Sequence, residues 1–155
     1  MIFVLISVVV PLGVYLLLPP LLQKLCGKPV ARNKTLILAC VLFFVSWYLP
    51  SPQIHGNFTA ATTHFVGGGV FTGLLWLYIK QRLGWNAPLI IEVISLLGLV
   101  SILGVVMELA ELTAVELGLF SLPHTDTSWD LLMNTLGAIL FGIGYAVVKK
   151  PSSSY

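Results

Sequence analysis

The chain reads as an all-α polytopic membrane protein, a five-transmembrane-helix bundle with its N-terminus outside and its C-terminus cytoplasmic. Three observations predict this. Hydrophobic residues make up 57% of the 155 residues and charged residues only 9%, where a soluble domain carries roughly 25% charge; mean hydropathy is +0.98. The apolar residues fall in five runs, at about 2–18, 35–49, 62–79, 88–112 and 129–148, each near the ~20 residues that cross a ~30 Å hydrocarbon core. The eight Lys and Arg residues lie only in alternate connections between those runs, which is the pattern the positive-inside rule demands. Residues 1–150 form a single transmembrane domain, and the Ser-rich tail 151–155 is expected to be disordered.

The first run has no basic residue ahead of it and no small-x-small cleavage site before Pro19-Pro20. It is therefore expected to be a retained helix and not a signal peptide, kinked at Pro11 because proline removes a backbone donor. The second run stops at Pro50-Ser51-Pro52, a strong breaker. Lys24, Lys28, Arg32 and Lys34 fill the first loop, Lys80 and Arg82 the third, and Lys149 and Lys150 follow the last run. The second and fourth loops carry none, so all eight cations share one side, the cytoplasmic one. Cys26 sits in the basic loop and Cys40 in an apolar run, a placement that suggests neither a disulfide nor a metal site. Nothing resembles a P-loop, a nucleophile elbow, a haem motif or a nucleic-acid surface; the bilayer is the first partner.

The acidic residues fall on the other side. Five of the six carboxylates, Glu108, Glu111, Glu116, Asp126 and Asp130, lie at the extracytoplasmic end with His55, His64, His124 and Asn134. Glu92 alone is on the inner side, at a helix start where a carboxylate complements the dipole. At 100° per residue Ser101, Gly104, Glu108 and Glu111 share a face of the fourth helix, and Asp126, Asp130, Asn134, Gly137 and Gly144 share a face of the fifth. On the third, His64 lies on the side of Gly67 and Gly68, and Gly69-x-x-x-Gly73 makes a small-residue seam. Small residues let helices approach closely in lipid, and carboxylates in a membrane turn toward the bundle interior. The three helices are thus expected to pack through Gly69, Gly73, Gly104, Gly137 and Gly144. His64, the glutamates and the Asp130/Asn134 pair would then converge near the outer surface.

Each polar residue has a plainer reading as well. Thr127-x-x-Asp130 matches a capping-box spacing, Asp126 suits a helix cap, and Trp129 an interfacial anchor. The glutamates resist such a reading. They stand at the negative end of a helix dipole, which disfavours them, so a proton, a histidine or a metal ion must compensate. The candidate ligand-binding residues are His64, Glu108, Glu111, Asp130, Asn134, Asp126 and His124. Of these, His64, Glu108 and Glu111 are the best donors for a divalent metal ion. No residue is assigned a catalytic role.

Glu108-x-x-Glu111, followed by Asp126-Thr-x-x-Asp130-Leu-x-x-Asn134-Thr-Leu-Gly137-Ala138, resembles the carboxyl-terminal signature of VanZ-like small membrane proteins and of the related YjdF type. His64-Phe-Val-Gly-Gly resembles the histidine that opens an earlier helix in that group. The resemblance covers about residues 60–146. It departs in having no aspartate shortly before His64 and no arginine between Glu111 and Asp130; the second departure favours the YjdF-like side. What it implies is a role in the cell envelope, since one founding member is linked to glycopeptide-antibiotic resistance. Three functions follow. The first is an extracytoplasmic ligand site, metal-assisted, for a lipid or lipid-linked envelope precursor head group. The second is a non-catalytic accessory subunit of a larger membrane complex. The third is a proton-coupled transporter, which five helices without an inverted repeat disfavour.

Overall fold

In a computed structural model the residues described are 2–54, 57–118 and 126–149. In chain order they form α1 (Ile2–Cys26), α2 (Lys34–Ser46), a two-residue antiparallel ribbon of β1 (Gln53–Ile54) and β2 (Asn57–Phe58), a π-helical segment (Thr63–Val70) that runs directly into α3 (Phe71–Leu83), α4 (Leu89–Glu116) and α5 (Asp126–Val148). The chain is all-α apart from the ribbon, which no apolar pattern announces. Among the described residues three helices are long and apolar enough to cross a membrane, Val4–Cys26, Leu89–Glu116 and Thr127–Val148, while α2 is a shorter apolar helix. Their outer faces carry exposed Val9, Leu17, Ile94, Ile102 and Ile143, side chains that lipid covers and water does not. The chain is a membrane protein.

Several helices outrun their expected ends. α1 does not stop at Leu18 but passes through Pro19 and Pro20 to Cys26. Proline at 19 leaves the carbonyl of Tyr15 without its in-helix donor, and Arg32 supplies a replacement: its Nε donates to Tyr15 O at 3.1 Å while the guanidinium lies 5.0 Å over the Tyr15 ring. The helix ends where Gly27 takes φ +66°, a left-handed turn that glycine adopts without penalty. α2 is shorter than its run, ending at Ser46; Asn33 caps it by accepting from Leu36 N at 3.1 Å. α3 continues four residues beyond Ile79 to Leu83, because nothing breaks the helix until Gly84 at φ +63°. α4 likewise extends past Leu112 to Glu116, and α5 begins at Asp126, three residues before Trp129. The tail 151–155 lies outside the described residues.

The helices are arranged as α1 on α2, α2 on the π segment and α3, and these in turn on α5 and α4. One apolar core joins α1, α2 and α3 around Leu36, Ala39, Phe43, Phe71 and Tyr78; a second joins α3, α4 and α5 around Trp76, Leu96, Val100 and Ala138. The buried residues of α4 are Glu92, Leu96, Val100, Gly104 and Glu108, a row with a constant step of four. That row spans roughly 24 Å at 1.5 Å per residue, with a carboxylate at each end and only apolar residues or glycine between. Ser101, expected on this face, is exposed, its place taken by Val100. Gly144 is corrected too: it is exposed with open space around it, and α5 meets α4 through Gly142, which faces Leu96.

Candidate functional site

At the amino-terminal end of the α4 row, Glu92 is fully buried. Its carboxylate accepts from Lys149 Nζ at 2.6 Å, Tyr145 OH at 2.7 Å, Lys80 Nζ at 3.0 Å and Ala87 N at 3.2 Å. A charge taken out of water needs partners of this kind, and here it has two cations. The residue does more than complement a dipole: it ties the end of α3, the start of α4 and the end of α5 together. The signal in the sequence is that Lys80 and Lys149 end two apolar runs on the side where Glu92 begins a third. Two lysines, a tyrosine hydroxyl and a backbone N–H hold the carboxylate, so this end is a structural clamp.

The carboxyl-terminal end of the row is built differently. His64 stands in the π segment, Glu108 on α4 and Asp130 on α5, and one donor atom from each lies within 4.8 Å of the other two. His64 Nε2 is 3.2 Å from Asp130 Oδ2. Glu108 is 8% exposed and Asp130 2%. The two carboxylates face one imidazole, and the sequence places no Lys or Arg between Lys34 and Lys80 or between Arg82 and Lys149. The three residues that converge belong to three helices whose ends agree: the π segment and α5 start here, and α4 finishes here.

Backbone geometry explains how His64 reaches this point. Phe71 N–H donates to Val66 O, five residues back, as well as to Gly68 O; the five-residue step is the signature of a π-helix, a geometry often found at functional sites. Its three consecutive glycines face two walls, Gly67 against α2 and Gly68 and Gly69 against α5. A methyl group on Gly67 would run into Ser46 Oγ on α2, and one on Gly68 would land on Asn134 Oδ1. On Gly69 it would lie 2.5 Å from Asn134 O, 2.6 Å from Gly137 Cα and 2.8 Å from Ala138 N. Gly73 continues the seam against the Phe141 ring, and a methyl on Gly137 would strike Phe65 O. The loop before the π segment is pinned by Thr59 Oγ1 to Pro52 O at 2.7 Å, Thr62 Oγ1 to Pro50 O at 2.9 Å and Thr63 Oγ1 to Ser46 O at 3.2 Å.

Of the residues singled out in the sequence, His64, Glu108 and Asp130 are brought together, with Asn134 one turn further along α5. Glu111 is half-buried one turn further along α4 and is not one of the gathered three. Asp130 turns inward to His64 instead of closing a capping box, because α5 starts at Asp126 and Thr127 already lies inside it. His55 and His124 lie outside the described residues, as does the side chain of Asp126. Gly104 sits beneath Glu108, where a methyl group would come within 3.2 Å of Asn134 Nδ2.

The donor set suits a divalent cation. A zinc-type ion bound at about 2.1 Å needs donor atoms about 3.4 Å apart; the His64–Asp130 side is already there, and the Glu108 side requires closure of little more than a side-chain adjustment. Neutral imidazole with two carboxylates and a 2+ ion sums to zero, whereas without the ion two carboxylates share a buried space with at most one positive charge. Compared with protein-family models, with curated proteins and with solved structures, the chain matches none.

Proposed function

We propose that this is a five-span membrane protein, amino terminus outside, whose extracytoplasmic end carries a divalent cation on His64, Glu108 and Asp130 and through it binds the head group of a lipid or lipid-linked envelope precursor. The observation that carries the reading is the convergence of one imidazole and two buried carboxylates from three helices within 4.8 Å. Two carboxylates alone repel a phosphate-bearing head group; a bound cation reverses the sign of the site and gives such a head group something to bind. The VanZ-like resemblance points to the same side of the same membrane. The span count adds α2 and the joined π segment and α3 to the three long helices, and the orientation follows the cations.

Two features favour a surface site over a pathway through the membrane. Leu96, Val100 and Ala138, all buried, stand between the outer cluster and Glu92, so among the described residues the buried row of α4 between its two carboxylates is apolar or glycine. Between α4 and α5 runs a groove of about 190 Å³ lined by apolar residues and glycine alone, Ala138, Ile139, Gly142 and Ile143 among them. It begins two turns inward from Asp130 and opens toward lipid, a location suited to an acyl chain. Metal analysis of the purified protein tests the proposal. One divalent ion per chain is expected in the native protein, lost in His64→Ala and Glu108→Ala; no stoichiometric metal in a folded native sample contradicts it.

A further inference from the structure

We infer that Asn134, through its side-chain oxygen, holds a water molecule bound to the cation, and so positions the one ligand of the centre that the protein does not itself supply. This rests on the cation reading above. Directly beneath His64, Glu108 and Asp130 lies a second layer, one helical turn inward on each element: Gly68, Gly104 and Asn134. Asn134 is 5% exposed, and its Oδ1 has no hydrogen-bond partner among the described residues.

Buried amides in membrane bundles normally hydrogen-bond across to a neighbouring helix. This one is denied that role by its surroundings. Its oxygen lies against Gly68, which has no side chain, and its nitrogen side against Gly104, which has none either. The two glycines leave room for the amide and offer it nothing, and any larger residue at Gly68 would evict it. A buried acceptor with no donor is costly, and ionised carboxylates above it have no hydrogen to give. The occupant of the centre does. Three protein ligands leave a zinc-type ion an open position, which water fills, and a coordinated water keeps two hydrogens directed away from the metal. Residues one turn apart on a helix face are about 5–6 Å apart at Cβ. That span matches a path from metal to water to acceptor of about 2.1 Å plus 2.8 Å.

The test uses the full chain in detergent, loaded with Co²⁺ and titrated with azide, an anion that displaces bound water but has no hydrogen to offer Oδ1. Native protein is expected to take one Co²⁺ with a visible d–d spectrum and to bind azide weakly. Asn134→Ala should keep its Co²⁺ affinity within about threefold and bind azide roughly tenfold more tightly, the size of one hydrogen bond no longer lost on displacement. Asn134→Asp retains an acceptor and should bind azide no better than the native protein. Equal azide affinity in native protein and Asn134→Ala overturns the role of Asn134 and leaves the cation reading standing; failure of the native protein to bind Co²⁺ overturns both. Should Asn134→Ala fail to fold, the native protein carries the test alone. Loaded with Mn²⁺ in D₂O, it must show deuteron couplings from a coordinated water, and their absence overturns the inference.

Discussion

Three neighbouring glycines differ in what they hold apart, and this ranks their substitutions. At Gly69 the obstacle to a methyl group is the backbone of α5 itself, which cannot yield unless the π segment and α5 separate. At Gly67 the obstacle is the Ser46 hydroxyl, now donating to Phe43 O at 2.7 Å, and a hydroxyl can rotate away. Gly69→Ala is therefore expected to destabilise the fold by the ~1–3 kcal/mol typical of overpacking or more, lowering the thermal unfolding midpoint in detergent well beyond Gly67→Ala, and to weaken metal binding because His64 and Asp130 ride on the two elements it separates. Gly67→Ala proving the worse of the two would contradict this packing. At this scale much of the site was legible: helical phase put His64, Glu108, Asp130 and Asn134 on facing sides. What phase could not decide was rotation. Glu108 and Glu111, three residues apart, both fit an inward face until Val100 instead of Ser101 sets the turn of α4. Asp130 fits a cap or a ligand at the same spacing until the start of α5 is known.

The elements show where local rules were overridden. Pro19-Pro20 reads as a stop, yet α1 continues, because each proline removes one donor and the carbonyl orphaned by Pro19 is bonded by Arg32 from the following loop. A long-range partner of this kind leaves no trace in a window of neighbouring residues. A double-mutant cycle checks it. In a Pro19→Ala background the helix regains its own donor to Tyr15 O, so Arg32→Ala should cost about 1 kcal/mol less there than in the native chain; the stacking of Arg32 on Tyr15 is lost in both arms and cancels. Equal losses in both backgrounds would show that Arg32 does not serve that carbonyl. The π segment was hidden for a related reason. A π turn differs from an α turn by one residue, and the glycine triplet announces close packing without announcing the wider turn that aims His64 at α5.

For the whole molecule, composition and the spacing of apolar runs carried the membrane assignment, and charge placement carried the proposed orientation. The same placement accounts for the contrast between the ends of α4: cations gathered on one side leave Glu92 with two lysines and leave Glu108 and Asp130 with a histidine. The orientation is checked with the native thiol at Cys26, the last residue of α1 on the basic side. An impermeant maleimide should label it in inside-out vesicles and not in intact cells; the reverse pattern would turn the protein over and put the cluster in the cytoplasm. The central claim is the metal. X-ray absorption at the edge of the ion that copurifies with the native chain tests it most directly. The expected spectrum shows one imidazole nitrogen and a remaining shell of oxygen at about 2.0–2.2 Å, and His64→Ala, which loses the ion, should show no metal edge above background. A shell of oxygen alone in the native protein, or an imidazole signal that survives in His64→Ala, would contradict it.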